Sequence, residues 1–329
     1  MPPKLKGRSF ISTLEFKPAE LEFLLDRAAA LKKSRGKDGK KGRRPLEGKS
    51  VAMVFFNPSL RTRVSFQVGI AELGGQAVSM SVGSESWTLE HREGAVMDQD
   101  KTEHIKDAAR VLSRFVNAIC VRSFPGLKSR EEDMADPVIG AFRKYATVPV
   151  INMESALWHP CQGMADAMTI REKVGRIKGA KVTLTWAYHP KALPMAVPNS
   201  FAAIASQLGA DLTIAHPAEF PLEKSLLDAL PRKPRIVHSK EEGLEGAQIV
   251  YAKSWGGSAF YGKWEEEKKV RDGLKGWICD RVPKGAHFLH CLPVRRNVEV
   301  ADAVLDQGAI YDEAENRLHV QKAILSELL

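Results

Sequence analysis

Short apolar runs that alternate with helical stretches constrain this chain more than any other feature. The runs lie at 51–56, 74–82, 116–124, 148–154, 181–187, 211–216, 247–253 and 287–292. Apolar residues at helical spacing occupy 18–34, 61–73, 102–115, 131–144, 164–175 and 197–208, and an amphipathic pattern fills 312–329. Strands separated by helices are joined by crossovers, and crossovers make parallel sheets whose strands read as near-continuous apolar runs. The rhythm restarts after residue 160, so the predicted fold is α/β, with two doubly wound parallel-sheet domains and a hinge near 150–162. A chain of 329 residues has the length for two such units.

Other classes are excluded by what the residues lack. No run of 18 apolar residues occurs, and the start MPPKLKGRSF has no apolar stretch of the secretory kind. The four cysteines, Cys120, Cys161, Cys279 and Cys291, form no CxxC pair, which argues against disulfides and structural zinc and for a reducing, cytoplasmic setting. The net charge is +9, but residues 32–50 hold nine Lys/Arg against Asp38 and Glu47, a local +7, which leaves 9 − 7 = +2 elsewhere. The excess is one glycine-punctuated segment, read as a surface connection. It lacks the interleaved aromatics that stack bases, so nucleic acid is not the expected partner.

In open α/β sheets, ligands bind beyond the carboxyl ends of the strands. The polar residues there are Ser59 to Arg63, Arg122, Glu154 with His159, His189, Lys253, and His290 to Pro293. Ser59-Leu60-Arg61-Thr62-Arg63 sits where a strand meets a helix N-terminus, which already favours an anion. Ser59 and Thr62 add hydroxyls, and Arg61 or Arg63 can chelate phosphate oxygens. A serine-capped helix start with solvated arginines accounts for the same residues equally well. Arg122, at another strand end, tips the balance toward a doubly charged anion. No GxxxxGK[ST] loop is present, no GxGxxG follows the first strand, and no HExxH suggests a metal.

SLRTR (59–63), HPCQ (159–162) and HCLPVRRN (290–297), in that order, resemble the aspartate/ornithine carbamoyltransferase family. INME (151–154), LTWAYHPK (184–191), VYAKSWG (250–256) and DEAENRLHVQKAI (312–324) are most similar to its N-acetylornithine transcarbamylase branch, with the N-succinylornithine enzymes near relatives. The resemblance implies a carbamoyl-phosphate domain at 1–155, joined by the C-terminal helix 312–329 packing back on it, and an amino-substrate domain at 156–311. It also implies a homotrimer with sites shared between subunits, a role in arginine biosynthesis, and no metal or organic cofactor. Ser59, Leu60, Arg61 and Thr62 would hold the phosphate with Arg122, and Arg317 would close on it. His159 and Gln162 would meet the carbamoyl group, and Trp87 would reach a neighbouring subunit's site. Cys291 and Leu292 would act through backbone atoms, and Glu154 and Lys253 would bind the acylated ornithine.

Three acceptors are possible within that family: aspartate, free ornithine or an N-acylated ornithine. Free ornithine carries an α-ammonium that wants a carboxylate, yet IVYAKSWG offers Lys253 and no acid. A lysine suits the α-carboxylate of an ornithine whose α-amine is masked as an amide. Thr102, in DKTEH, matches neither the glutamate of acetyl-type nor the proline of succinyl-type sequences. The similarity over 247–324 favours N-acetyl-L-ornithine over N-succinyl-L-ornithine. A reading from another class is a non-catalytic phospho-ligand or nucleic-acid binding protein that uses the basic segment 32–50.

Overall fold

The computed structural model describes residues 3–35 and 44–329. Residues 36–43, the centre of the basic segment, lie outside the described residues. The chain divides into two units, one of residues 1–125, 131–161 and 317–329, the other of 126–130 and 162–316.

The first unit is built on β1 (Ser50–Phe55), β2 (Gln76–Ser81), β5 (Ala118–Arg122) and β6 (Val150–Glu154), with a two-residue ladder of β3 (Leu89–Glu90) and β4 (Glu103–His104) beside them. The sheet order is β2-β1-β5-β6 and every pairing is parallel. β1, β5 and β6 are buried nearly throughout, as two-sided parallel strands must be. Val54, Ile119, Val121 and Val150 pack against Ile139 and Phe142 of the helix Pro137–Tyr145. The chain leaves β1 toward β2 on one side and returns to β5 on the other. The crevice between the carboxyl ends of β1 and β5 is therefore a topological switch point.

The second unit repeats the plan with β7 (Lys181–Trp186), β8 (Asp211–Ala215), β9 (Arg235–Val237), β10 (Ile249–Lys253) and β11 (His287–Leu289). Its order is β11-β10-β7-β8-β9, again all parallel, and the reversal falls between β7 and β10. At that point Arg271, 1% exposed, stacks on Trp186 and Phe220 and donates to His189 O, Trp255 O and Ser254 Oγ. Glu267 pairs with it at 2.6 Å. A buried guanidinium thus ties together the loops that leave both strands.

Two expected elements differ. The helix expected at 131–144 is two helices, Arg130–Ala135 and Pro137–Tyr145, broken at Asp136, whose φ is +45°. A residue before proline is pushed out of the helical region, and the Asp136 carboxylate accepts from Ser155 Oγ, Ala156 N and Leu157 N. The last helix, Ile310–Leu328, is not amphipathic: from Asn316 to Leu325 it is buried on every side. Three of its buried polar residues are matched individually, Asn316 to Thr169 and Glu172, Arg317 to Thr62, and Lys322 to Glu72. The last two matches lie within the first unit, so the end of this helix packs back on it.

Candidate active site

In the first unit the switch point is occupied by cations. The helix Arg61–Glu72 begins directly after the loop that leaves β1, and Ser59 Oγ accepts the Thr62 N–H at 3.2 Å. The serine-capped helix start is therefore present. Asn57 fixes the loop by accepting the Phe124 N–H beyond β5 at 2.7 Å. Thr62, buried, is the meeting point: its Oγ1 accepts from Arg317 Nη2 at 2.9 Å and from Arg122 Nη1 at 3.3 Å. Arg122 also donates to Glu154 Oε2 at 2.6 Å, and His159 Nε2 lies 3.5 Å from the same oxygen. Ser59, Arg61, Thr62, Arg122, Glu154, His159 and Arg317 all belong to this unit.

Arg63 is turned away. It donates to Ser79 and Ser81 of β2 at 2.6 and 2.8 Å and lies over the Phe55 ring. Of the two arginines in the motif, Arg61 is thus the one on the His159 side, close enough to both His159 and Arg122 to act on their charge. Burial, then the fields of Arg317, Arg122 and Arg61, hold the His159 imidazole well below its ordinary pKa, so it is neutral at pH 7. The formal charge is three arginines less Glu154, 3 − 1 = +2. That matches a phosphate, which carries about −1.5 to −2 near pH 7.

Of the residues that the sequence assigns to the acceptor, Lys253, Cys291 and Leu292 lie in the second unit, in a different network, while Glu154 and Thr102 lie in the first. Lys253, at the end of β10, has its Nζ 3.9 Å from Glu299 Oε1, and His290 Nε2 is 3.3 Å from the same oxygen. His290 Nδ1 accepts the Leu292 N–H at 2.9 Å, which places the ring proton on Nε2, facing Glu299. Burial opposes the Glu299 charge, but Lys253 and His290 bring its pKa down to about 2. Arg295 Nε donates to His189 Nε2 at 3.1 Å. Gln162 directs both amide hydrogens at carboxylates, to Asp166 Oδ1 and Glu313 Oε1, each at 2.7 Å. Glu313 Oε2 in turn accepts the His290 N–H at 2.8 Å. Leu292 has φ +55° and precedes a cis peptide to Pro293.

Trp87 and Thr102 are exposed on one segment of the first unit, and the Thr102 N–H bonds Thr88 O at 3.3 Å. Trp87 is 65% and Leu60 73% exposed, so neither side chain is packed within this chain. The sequence reading passed over Glu299, Glu313 and Asp166. Asp166 lies four residues after Gln162 and Glu313 four before Arg317, a spacing that puts each pair on one helix face and was legible. Glu299 lies outside any helix or strand and carried no such signal.

The family model for the aspartate/ornithine carbamoyltransferase carbamoyl-P binding domain matches residues 8–172, and that for the Asp/Orn binding domain matches residues 194–328. The N-acetylornithine carbamoyltransferase of Xanthomonas campestris pv. campestris is 44% identical over 338 residues, 98% of each chain. The N-succinylornithine carbamoyltransferase of Bacteroides fragilis is 35% identical over 316 residues, 94% of this chain and 95% of its own. A solved acetylornithine transcarbamylase complexed with acetylcitrulline is similar with a TM-score of 0.93 at 43% identity, over 98% of this chain and 99% of that one.

Proposed function

The chain belongs to the aspartate/ornithine carbamoyltransferase family, and we propose that it moves the carbamoyl group of carbamoyl phosphate to the δ-amine of N-acetyl-L-ornithine, releasing N-acetyl-L-citrulline and phosphate. The observation that carries this reading is the +2 cradle of Arg61, Arg122 and Arg317 around Thr62, with a neutral His159 beside it. Phosphate is the leaving group, so its charge grows along the reaction. Arginines already fixed around it favour the transition state over the ground state. Ser59 and Thr62 add hydroxyls, and Leu60, whose side chain points to solvent, contributes through its backbone. His159, held neutral, donates a hydrogen bond to the carbamoyl oxygen as charge develops there.

Gln162 reaches the carbamoyl amide through its Oε1, because its amide hydrogens face Asp166 and Glu313. Glu154, which pairs with Arg122 through Oε2, also meets the acceptor. Lys253 takes the acceptor's α-carboxylate, while the Cys291 and Leu292 backbone groups meet its reacting end. The exposed Trp87, on the same segment as Thr102, enters the site of a neighbouring subunit in a homotrimer, and Thr102 sets the tolerance for the acyl group.

Steady-state turnover with carbamoyl phosphate and N-acetyl-, N-succinyl- or free L-ornithine tests the reading. The highest kcat/KM is expected for the acetyl acceptor and the lowest for free ornithine. A higher value for the succinyl acceptor would reassign the substrate, and no carbamoyl transfer to any of the three would sink the function.

A further inference from the structure

Glu154 and His159 meet at 3.5 Å, and along the chain only Ser155 to Trp158 separate them. That turn closes on itself: the Ser155 N–H donates to Trp158 O at 2.8 Å, and Ser155 Oγ accepts the Trp158 N–H at 3.3 Å. It is held by one side chain from outside the turn, Asp136, which is buried. Asp136 Oδ2 accepts from the Ser155 hydroxyl and from the Leu157 N–H at 3.3 Å, and Oδ1 accepts the Ala156 N–H at 3.2 Å. Three consecutive residues thus hang on one carboxylate. Asn152 of β6 completes the frame, its Nδ2 donating to Ser155 Oγ at 2.9 Å and to Ile11 O at 3.1 Å. To make these contacts Asp136 adopts φ +45° and ψ +55°. That left-handed conformation is costly for a residue other than glycine, and it persists only where the surrounding contacts over-determine it. Among the described residues no Lys or Arg pairs with Asp136, so the turn is what this carboxylate serves.

We propose that Asp136 is a positioning residue for the carbamoyl end of the site, shaping the turn that brings Glu154 and His159 together. Glu154 holds Arg122 at 2.6 Å, and His159 donates to the carbamoyl oxygen. A shift of the turn therefore misplaces the donor that acts as charge develops on that oxygen. The proposal rests on the carbamoyl-transfer reading above. It predicts a defect in the chemical step rather than in phosphate binding, because Arg61 and Thr62 stand on the helix Arg61–Glu72 and Arg317 on the last helix.

The test compares Asp136→Asn and Ser155→Ala with the native enzyme, each alone and combined with His159→Gln, by steady-state kinetics and by calorimetric titration with inorganic phosphate. Asparagine tolerates the left-handed backbone and keeps one acceptor oxygen, but its amide nitrogen faces a turn N–H, donor against donor. Asp136→Asn is expected to lower kcat for carbamoyl transfer by about 10–100-fold, on the scale of a slightly misplaced catalytic group, with phosphate affinity within about threefold. Ser155→Ala removes one contact of the three and is expected to lose less. In the His159→Gln background each substitution is expected to cost less than it does alone, as residues acting through one another do. Native kcat in Asp136→Asn, full additivity with His159→Gln, or a loss of phosphate affinity as large as the loss of kcat would each overturn the proposal. If Asp136→Asn does not fold, Ser155→Ala carries the test, and native kcat in it refutes the role. A native protein that transfers the carbamoyl group to no acceptor refutes the functional reading itself, a result separate from an active enzyme indifferent to Asp136.

Discussion

The two units answer the same topological situation with opposite electrostatics. Each is a parallel sheet with a reversal at its centre, and each gathers charged groups where the chain changes direction. In the first unit three guanidiniums face one carboxylate, and the imidazole among them is held neutral. In the second, Lys253 is matched by Glu299, and Arg271 by Glu267. An uncompensated cradle suits a ligand that is strongly anionic and becomes more so. A balanced network gains little from charge alone and selects by geometry. A central reversal in a parallel sheet, common to both units, therefore places a site without deciding its chemistry.

The sharpest way to break this contrast is to remove a cation from each side. Arg61→Ala takes charge from the leaving phosphate in the transition state, and kcat/KM for carbamoyl transfer is expected to fall by about 10³-fold. Full retention of transfer in that variant would remove the site assignment. Lys253→Gln removes one charged contact to a carboxylate, worth about 1.5–3 kcal/mol, or roughly 10–150-fold in acceptor kcat/KM. Its phosphate affinity is expected to stay native. If both variants lost phosphate and acceptor binding alike, the division of labour between the units would be wrong.

The same contrast explains what the sequence could convey. Strand and helix periodicity located every strand of both main sheets except β9, only three residues long. SLRTR and Arg122 were legible because they sit at strand ends, where α/β topology puts ligands, whereas Arg317, in the last helix, came only from the family resemblance. What a sequence does not encode locally is direction. Nothing in SLRTR says that Arg63 turns to Ser79 and Ser81 while Arg61 does not. The last helix read as amphipathic because its polar residues looked solvated, whereas Asn316, Arg317 and Lys322 are buried and each meets a specific partner. Glu299 escaped notice for a related reason: its pairing is with Lys253, 46 positions earlier in the chain, and follows no local pattern.

Acid titration offers a smaller but separable difference between the units. His159 and Glu299 both have folded-state pKa values below their unfolded ones. Such groups bind protons more readily when unfolded, so their contribution to stability is complete above the unfolded pKa and is lost as pH falls. For His159 the loss begins near pH 6.5, and for Glu299 it begins near 4.5 and ends at about 2. One group contributes at most about 1.4 kcal/mol per pH unit. His159→Gln is therefore expected to flatten the decline of unfolding free energy between about pH 6.5 and 5, as followed by urea denaturation. His91, His189 and His216, also held down by burial, retain their share of that slope in the variant. An identical slope in native and variant proteins would mean that His159 is not held neutral by its surroundings.

The smallest expected effect tests whether the cradle is complete in one chain. Trp87 is 65% exposed, and Leu60, Val64 and Val68 form an exposed apolar line along the helix Arg61–Glu72. A homotrimer that shares its sites would cover such a face and let Trp87 act in the site of its neighbour. Arg61→Ala and Trp87→Ala proteins are then each inactive for different reasons. When the two are unfolded together and refolded as an equal mixture, a site is intact only if its own chain retains Arg61 and its neighbour retains Trp87. Random assembly meets each condition half the time, so about a quarter of the sites, and about a quarter of native activity, should return. Recovery near that level requires sharing across a subunit boundary. No recovery from a mixture shown to contain mixed trimers would mean that Trp87 serves the chain that carries it, and the cradle would be a single-chain site.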